Sequence, residues 1–263
     1  MLGFQLFLHA LRMILGNFGA AVRVSLPSLV AIVVVAGLSI TLFPALGMIE
    51  HPAMMETAPF SAGGVAMVFL SAVVMAVAFL WSAVAWHRFI LLEEYPGATG
   101  PRWNGAAIWR YFVAGIVLGL VLVLLGVALG IVVGIASFAF GRPGGDGAMV
   151  LGAVLMFALV VVPLILVSYR LSPILPAAAV GERLSIKDAW AATRGAFWPF
   201  LILAIVTSLA SWALGLPTPI LMRASLVLGL IWTIAVQWVT MLFGVSILTT
   251  IYGYFVEKRN LNA

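Results

Sequence analysis

The residues best suited to chemistry lie in the segment AWHRFILLEE, in which His87 and Arg88 precede Glu93 and Glu94. An imidazole beside a carboxylate can act in general acid–base catalysis, and a nearby arginine can bind a phosphate group. These residue types would suit a membrane enzyme that acts on lipid headgroups. A solvated charge cluster at the end of an apolar helix explains the same four residues more simply.

Other side chains suited to chemistry or to ligand binding are scarce in this sequence. Gln237 lies in the middle of an apolar run, where an amide is expected to hydrogen-bond another helix or, in the alternative, the polar head of a ligand. The sequence has no cysteine, and no Asp, Glu or Lys falls near the middle of an apolar run. These absences disfavour thiol chemistry and proton-coupled transport. Glu50, His51 and Glu56 share one short segment but form a weak metal-binding pattern. The sequence therefore predicts no catalytic residue, no metal site and no cofactor.

The composition indicates that hydrocarbon is the solvent of this chain. Of 263 residues, 65% are hydrophobic and only 8% are charged, whereas about 25% of the residues of a soluble domain are charged. A membrane helix needs about 20 mostly apolar residues. Six runs qualify, namely residues 24–49, 61–87, 108–140, 148–172, 198–216 and 224–256. We therefore predict one all-α polytopic membrane domain over residues 1–263, with six transmembrane helices arranged as three hairpins.

The distribution of positive charge predicts the orientation of this domain. Of its 13 Lys and Arg residues, all but Arg142 and Arg223 fall on one side of the six runs. The positive-inside rule then places both termini in the cytoplasm. Basic residues beside membrane spans favour anionic lipid headgroups, rather than nucleic acid, as their partner. Four arginines at span ends are the predicted interfacial anchors: Arg88, Arg110, Arg170 and Arg194.

Two features of the apolar runs predict how the helices pack. Pro163 lies inside the fourth run, where the missing N–H usually kinks a helix. The third run has glycines at GxxxG spacing, which lets another helix approach closely, more often within one chain than in a dimer. These glycines are Gly115, Gly119, Gly126, Gly130 and Gly134.

Short amphipathic stretches precede the predicted hairpins. FQLFLHALRMILGNF has one narrow polar stripe, which is typical of a helix lying in the membrane interface. In SIKDAWAATRGAFW, Ser185 and Asp188 have the spacing of a capping box at a helix start. PRWNGAAIWRYF is the poorest of the three copies. The three copies divide the chain into pseudo-repeats of about 1–88, 89–172 and 173–263.

Residues 177–198, AAAVGERLSIKDAWAATRGAFW, combine a Gly-Glu turn, a short helix with a tryptophan and an Arg-Gly step into the next span. This pattern resembles bacterial six-helix integral membrane families, including the membrane domain fused to some glycerophosphodiester phosphodiesterases. The resemblance implies a six-helix bacterial membrane domain. The soluble domain that carries the catalytic metal site of those enzymes is not among these 263 residues, so the resemblance implies no activity.

Three functions from different classes remain open at this point. We expect a non-enzymatic membrane protein that binds lipids or acts as an accessory or scaffold component of a membrane complex, with a membrane protein as its partner. The first alternative is a carrier for an apolar or amphipathic solute, with Pro163, Gln237 and the glycines along its path. The second alternative is the lipid-headgroup enzyme built on His87 and its neighbours.

Overall fold

The structure is a computed structural model that describes residues 1–45, 62–139, 152 and 154–261. Over this part of the chain the secondary structure is helical and contains no β-strand, which confirms the predicted all-α class. The segments 46–61 and 140–151, with Glu50, His51, Glu56 and Arg142, lie outside the described residues. The α-helices are α1 (Leu2–Gly16), α2 (Phe18–Val24), α3 (Leu26–Ala45), α4 (Ala62–Leu92), α5 (Gly105–Ala139), α6 (Val162–Leu171), α7 (Ile174–Val180), α8 (Ile186–Ala192), α9 (Phe197–Gly215), α10 (Pro217–Ala224) and α11 (Leu226–Phe255).

Five helical stretches in the described residues are long and apolar enough to cross a membrane. They are Gly63–Leu92, Gly105–Ala136, Val154–Val180, Phe197–Ala224 and Leu226–Phe255. The structure is therefore that of a polytopic helical membrane protein. A sixth span exists only if the helix pair Phe18–Val24 and Leu26–Leu38, bent by 52°, counts as one span.

The bend between α2 and α3 lies at Ser25. Pro27 occupies the first turn of α3, where its missing N–H is tolerated, but it cannot donate to a carbonyl of α2. The Ser25 hydroxyl donates to the carbonyl of Ala21 at 2.8 Å and accepts from the indole Nε1 of Trp238 at 2.6 Å. The predicted first span, residues 24–49, thus begins at this bend, and the hydrogen bond from Trp238 connects the bend to α11.

The core lies at one end of the helices, which we call the basic end because it carries Arg88, Arg110, Arg170 and Arg259. There the ring of Phe200 on α9 packs against Tyr169 of α6 and Phe255 at the end of α11. Largely inaccessible side chains gather at this end from α1, α4, α9 and α11: Leu6, Trp86, Phe200, Leu203, Leu242 and Ile251.

Towards the opposite end the same helices expose their apolar side chains. Phe69 on α4, Leu124 on α5 and Leu226 on α11 are each more than 60% exposed. In water such surfaces would be strongly unfavourable. In a bilayer the lipid tails are as apolar as these side chains, so exposure there costs little. The exposed halves of the helices therefore support the membrane assignment.

The predicted irregularity at Pro163 takes the form of a widened turn. A π-helical segment, Phe157–Val161, precedes α6 directly, and Pro163 is in the first turn of α6. A proline has no N–H for the carbonyl four residues earlier, and a π-turn is one way in which a helix accommodates that loss. The structure thus shows a change of helical pitch before Pro163, and the predicted kink stays a prediction.

Two of the three amphipathic stretches are separate helices, as predicted. They form α1 and α8, and at the start of α8 the Ser185 hydroxyl accepts from the backbone N–H of Asp188 at 3.2 Å, which confirms the predicted cap. The third stretch was interpreted wrongly, because its residues from Gly105 onward continue into α5 without a break. Helix α1 packs on α9 so closely that a Cβ on Gly3 would overlap the carbonyl oxygen of Pro199.

Candidate functional site

The predicted cluster of His87, Arg88, Glu93 and Glu94 does not form in the structure. The Arg88 guanidinium binds Glu94, with 2.8 Å between Nε and Oε2. Glu93 has a left-handed backbone with φ of 56° and an exposed side chain. His87, expected in a solvated charge cluster, is instead completely buried. Because the imidazole is separated from the carboxylates, these residues do not make an acid–base pair.

His87 joins three helices at the centre of the basic end. Its Nδ1 lies 2.8 Å from Oγ1 of Thr249 on α11, and its Nε2 lies 3.4 Å from the hydroxyl of Tyr111 on α5. The Thr249 hydroxyl donates to the carbonyl of Val245, so it accepts from Nδ1–H of His87. The Nε2 atom is then the acceptor that faces Tyr111. This arrangement is a buried polar link between α4, α5 and α11.

Two predicted interfacial arginines bind the carbonyl end of α7. Arg88 Nη1 donates to the carbonyl of Ala179 at 3.2 Å, and Arg110 Nε donates to the carbonyl of Ala178 at 3.3 Å. The last carbonyls of a helix have no partner within the helix and carry partial negative charge, so cations there are stabilising. Gly181 ends α7 with φ of 95°, a conformation that favours glycine. The two arginines thus fix α7 between α4 and α5.

The other two predicted anchors lie at α8. The guanidinium carbon of Arg170 stacks 3.4 Å above the ring of Trp190, and Nη2 donates to the carbonyl of the same residue at 2.8 Å. Thr193 returns a hydrogen bond to the carbonyl of Arg170 at 3.2 Å. Arg170 therefore attaches α8 to α6. Arg194 follows α8 and is exposed. That these four arginines anchor the membrane interface stays a prediction.

A pocket of about 720 Å³ opens at the basic end between α1, the end of α4, the end of α11 and the segment 257–261. We call it the basic pocket. Its lining includes three basic side chains, Arg12, Lys258 and Arg259, against one carboxylate, Glu257. Ligand pockets in proteins commonly measure about 300–1,000 Å³. The volume and the excess of positive charge suit an anionic group.

The segment after α11, residues 257–261, forms one wall of the basic pocket and is held in place by hydrogen bonds. His9 Nδ1 donates to the carbonyl of Leu261 at 2.9 Å, and Arg259 Nη2 donates to the carbonyl of Leu91 at 3.2 Å. Arg259 also pairs with Glu257. Lys258 donates one of its three protons to the carbonyl of Phe255 at 2.7 Å. The Lys258 ammonium, which has two further protons to donate, and the exposed Arg12 guanidinium are therefore the cationic groups best placed to bind a ligand.

The predicted helix-packing glycines divide into two groups. Gly126 and Gly115 face leucines of the following span, with 3.7 Å between the position of a Cβ on Gly126 and Leu164 Cδ1, and 4.0 Å for Gly115 and Leu175. A Cβ on Gly119, Gly130 or Gly134 would meet no described atom within 4 Å. Ordinary van der Waals contact is thus present at two of the five positions, and close helix approach along α5 stays a prediction. Gln237 is exposed on α11, and its contact with a helix or a ligand stays a prediction.

Arg12 and Lys258 indicated only the orientation of the chain, and the pocket that they line was not predicted. The pocket depends on α1 and the segment after α11 lying side by side, although they are about as far apart in the chain as two segments can be. Their closeness in space has no local sequence signal. A local signal did exist for Thr249, because hydroxyl residues recur near the end of α11 at Ser246, Thr249 and Thr250.

No protein-family model, curated protein or solved structure matches this chain. The resemblance over residues 177–198 therefore stays a prediction. Among the described residues no group of three or more His, Asp or Glu side chains could hold a metal ion.

Proposed function

We propose that this chain is a non-enzymatic lipid-binding protein of a membrane, and that the basic pocket binds the headgroup of an anionic phospholipid. The observation that carries the proposal is the cationic excess of a pocket at the ends of the membrane helices α4 and α11. Headgroup phosphates lie at this level of a bilayer, and basic pockets between membrane helices are known to bind them. Each Lys or Arg near such a surface contributes about 1 kcal/mol.

The two alternative functions have less support from the geometry. An enzyme would need an acid–base pair, and the one predicted pair is divided between a buried His87 and a salt-bridged Glu94. A carrier path was predicted to include Gln237 and the glycines of α5. Gln237 is exposed, and Gly126 is in contact distance of Leu164. A role as accessory subunit is compatible with lipid binding. A membrane protein that co-purifies with the chain would support that role and identify the partner.

The location that we propose is the inner membrane of a bacterium, with the basic end in the cytoplasm. Support comes from the positive-inside rule, because the basic residues concentrate on one side of the spans. Anionic lipids of the cytoplasmic leaflet would then face the basic pocket.

The orientation can be tested with single cysteines, because the natural sequence has none. Lys187 and Arg223 are both exposed. Lys187 lies on α8, before the start of α9, and Arg223 lies in the last turn of α10, at the other end of the stretch formed by α9 and α10. In spheroplasts we expect Arg223→Cys to react with a membrane-impermeant maleimide and Lys187→Cys to react only after permeabilisation. Reaction of both variants from the same side, or the reverse pattern, would contradict the proposed orientation.

Lipid binding by the basic pocket can be tested by removing its two least engaged cations. We expect Arg12→Gln/Lys258→Gln to weaken phosphatidylglycerol binding by about 2 kcal/mol, or about 30-fold, because two charges near the headgroup are lost. Native mass spectrometry of the purified full chain, titrated with this lipid in mild detergent, measures the change.

The matched control removes the same charge elsewhere at the basic end. Lys187 and Arg194 are exposed and line no part of the basic pocket. Lys187→Gln/Arg194→Gln should therefore change binding by no more than about twofold, because salt screens charges that do not contact the headgroup. If both double variants lose the same affinity, the lipid responds to overall charge and the pocket is not its site.

A further inference from the structure

A second opening lies on the side of the basic end, between α5, α7 and the start of α8. We call it the lateral groove. It measures about 630 Å³ and shares no lining residue with the basic pocket. Its walls come from the first turns of α5, from Ile174 and Ala178 on α7, and from residues 182–186 with Asp188. A ligand bound here would therefore be separate from the anionic lipid proposed above.

Charges of both signs line the mouth of the lateral groove in equal number. Arg110 and Arg183 are the cations, and Glu182 and Asp188 are the carboxylates. Neither carboxylate forms a salt bridge with a described residue. Asp188 accepts from the Ser185 hydroxyl at 2.6 Å through one oxygen, which leaves its other oxygen available. The mouth thus offers donors and acceptors side by side without a net charge.

An apolar track leads from this mouth along α5. Arg110, Val113, Ala114 and Val117 follow one another at i, i+3, i+4 and i+7, so they share one face of the helix. Seven residues of helix span about 10 Å. Val113 and Val117 are both exposed, and the groove belongs to a stretch that is long and apolar enough to cross a membrane. The track therefore starts at the level of the charged mouth and continues along the membrane span.

We propose that the lateral groove binds a zwitterionic phospholipid with a primary ammonium, as in phosphatidylethanolamine. The phosphate is bound by Arg110 and Arg183, and the ammonium donates to Glu182 and Asp188. One acyl chain lies along Val113, Ala114 and Val117. The ligand follows from charge complementarity, because a headgroup with one negative and one positive group matches a mouth with two cations and two carboxylates.

Other phospholipid classes match the lateral groove less well. An anionic headgroup without an amine would bring its negative charge beside both carboxylates with no cation of its own to pair with them, and like charges repel. A quaternary ammonium cannot donate hydrogen bonds to the carboxylates and would depend on the ring of Trp109 instead. The carboxylates thus favour a primary ammonium over either of the other headgroups.

The decisive test reverses one charge at the mouth. Glu182 is exposed, so Glu182→Lys should fold normally while leaving three cations against one carboxylate. Binding is measured by native mass spectrometry of the full chain in the Arg12→Gln/Lys258→Gln background, in which the basic pocket binds lipid more weakly. We expect the ratio of phosphatidylethanolamine to phosphatidylglycerol binding to fall by at least about tenfold, given the effect of single charges near headgroups. An unchanged ratio would overturn the proposal.

A second pair of variants tests the apolar track. Val113 and Val127 are both exposed on α5, but only Val113 lines the lateral groove. We expect Val113→Trp to lower phosphatidylethanolamine binding by about tenfold, because the indole occupies the space of the acyl chain, and Val127→Trp to leave it unchanged. Equal losses in the two variants would overturn the proposal. So would phosphatidylcholine binding as tight as that of phosphatidylethanolamine, since the carboxylates would then not select the ammonium.

Failure of this site can be distinguished from failure of the proposed function. Phosphatidylglycerol binding by the chain with natural Arg12 and Lys258 reports on the basic pocket. Phosphatidylethanolamine binding in the double-variant background reports mainly on the lateral groove. Either result can be negative while the other is positive.

Discussion

Replacement of Phe200 by alanine is expected to lower the free energy of unfolding by about 3–5 kcal/mol, the usual cost of truncating a buried aromatic side chain. Phe200 has no exposed surface. Its ring centroid lies 5.8 Å from that of Tyr169 and 5.4 Å from that of Phe255. The truncation therefore leaves a cavity where α6, α9 and α11 meet. Unfolding of the detergent-solubilised chain in a titration with sodium dodecyl sulfate, followed by circular dichroism, measures the loss.

Phe197 provides the control for this truncation, because it lies on the same helix and is 51% exposed. Its ring contacts Trp198, with 5.2 Å between centroids, and an aromatic pair contributes about 0.5–1.5 kcal/mol. Phe197→Ala should therefore cost no more than this. Equal losses for the two phenylalanines would show that the helices do not meet around Phe200.

Replacement of His87 by alanine is the second change with a large expected effect. A buried side chain of this size usually costs about 2–5 kcal/mol when truncated to alanine, and here the hydrogen bonds to α11 and α5 are lost as well. His9→Ala is the matched control, because His9 is only partly buried and its imidazole donates a hydrogen bond to the carbonyl of Leu261. We expect it to cost about 1 kcal/mol. The same unfolding titration compares the two variants.

Double-mutant cycles separate the polar link at His87 from the packing around it. Coupling between His87→Ala and Thr249→Val should reach about 0.6–1.7 kcal/mol, the mean and the maximum for hydrogen bonds between membrane helices. Coupling with Tyr111→Phe should be smaller, because 3.4 Å is long for a hydrogen bond. A larger coupling with Tyr111 than with Thr249 would mean that the imidazole is bound mainly to α5.

The buried polar groups explain why the helices meet at the basic end. Apolar side chains gain little by leaving lipid for another helix, so close packing and interhelical hydrogen bonds must bring the helices together. At the basic end both are present, in the link at His87 and in the arginines bound to the end of α7. A further link joins α3 to α4, where the hydroxyls of Ser28 and Ser82 lie 2.7 Å apart.

Local sequence patterns predicted the features that depend on neighbouring residues. The apolar runs predicted the helices, since 20 residues without charge suffice for a membrane span, and five such helices are found. The cap at Ser185 was also predictable, because the hydroxyl and the backbone N–H that it accepts from are three residues apart. The third amphipathic stretch was interpreted wrongly because its residues from Gly105 onward are followed directly by helix-forming residues of α5. Nothing in the stretch forces a break between the two.

The direction in which His87 points could not be predicted in this way. Its neighbours Arg88, Glu93 and Glu94 suggested a solvated position, and charge in a sequence does not reveal which side of a helix faces the core. The hydroxyl of Thr249 that accepts from its imidazole is 162 residues away in the chain. Only packing of α4 against α11 brings the two together.

The sequence by itself determined that this is a helical protein of a membrane, because hydrophobicity and helix length are properties of contiguous residues. It also determined which residues carry the positive charge. Only the tertiary structure decided which of those charges bind carbonyls at helix ends and which line a pocket, because that depends on contacts between helices. The two proposed lipid sites follow from those contacts: one joins α1 to the segment after α11, and the other joins α5 to the start of α8.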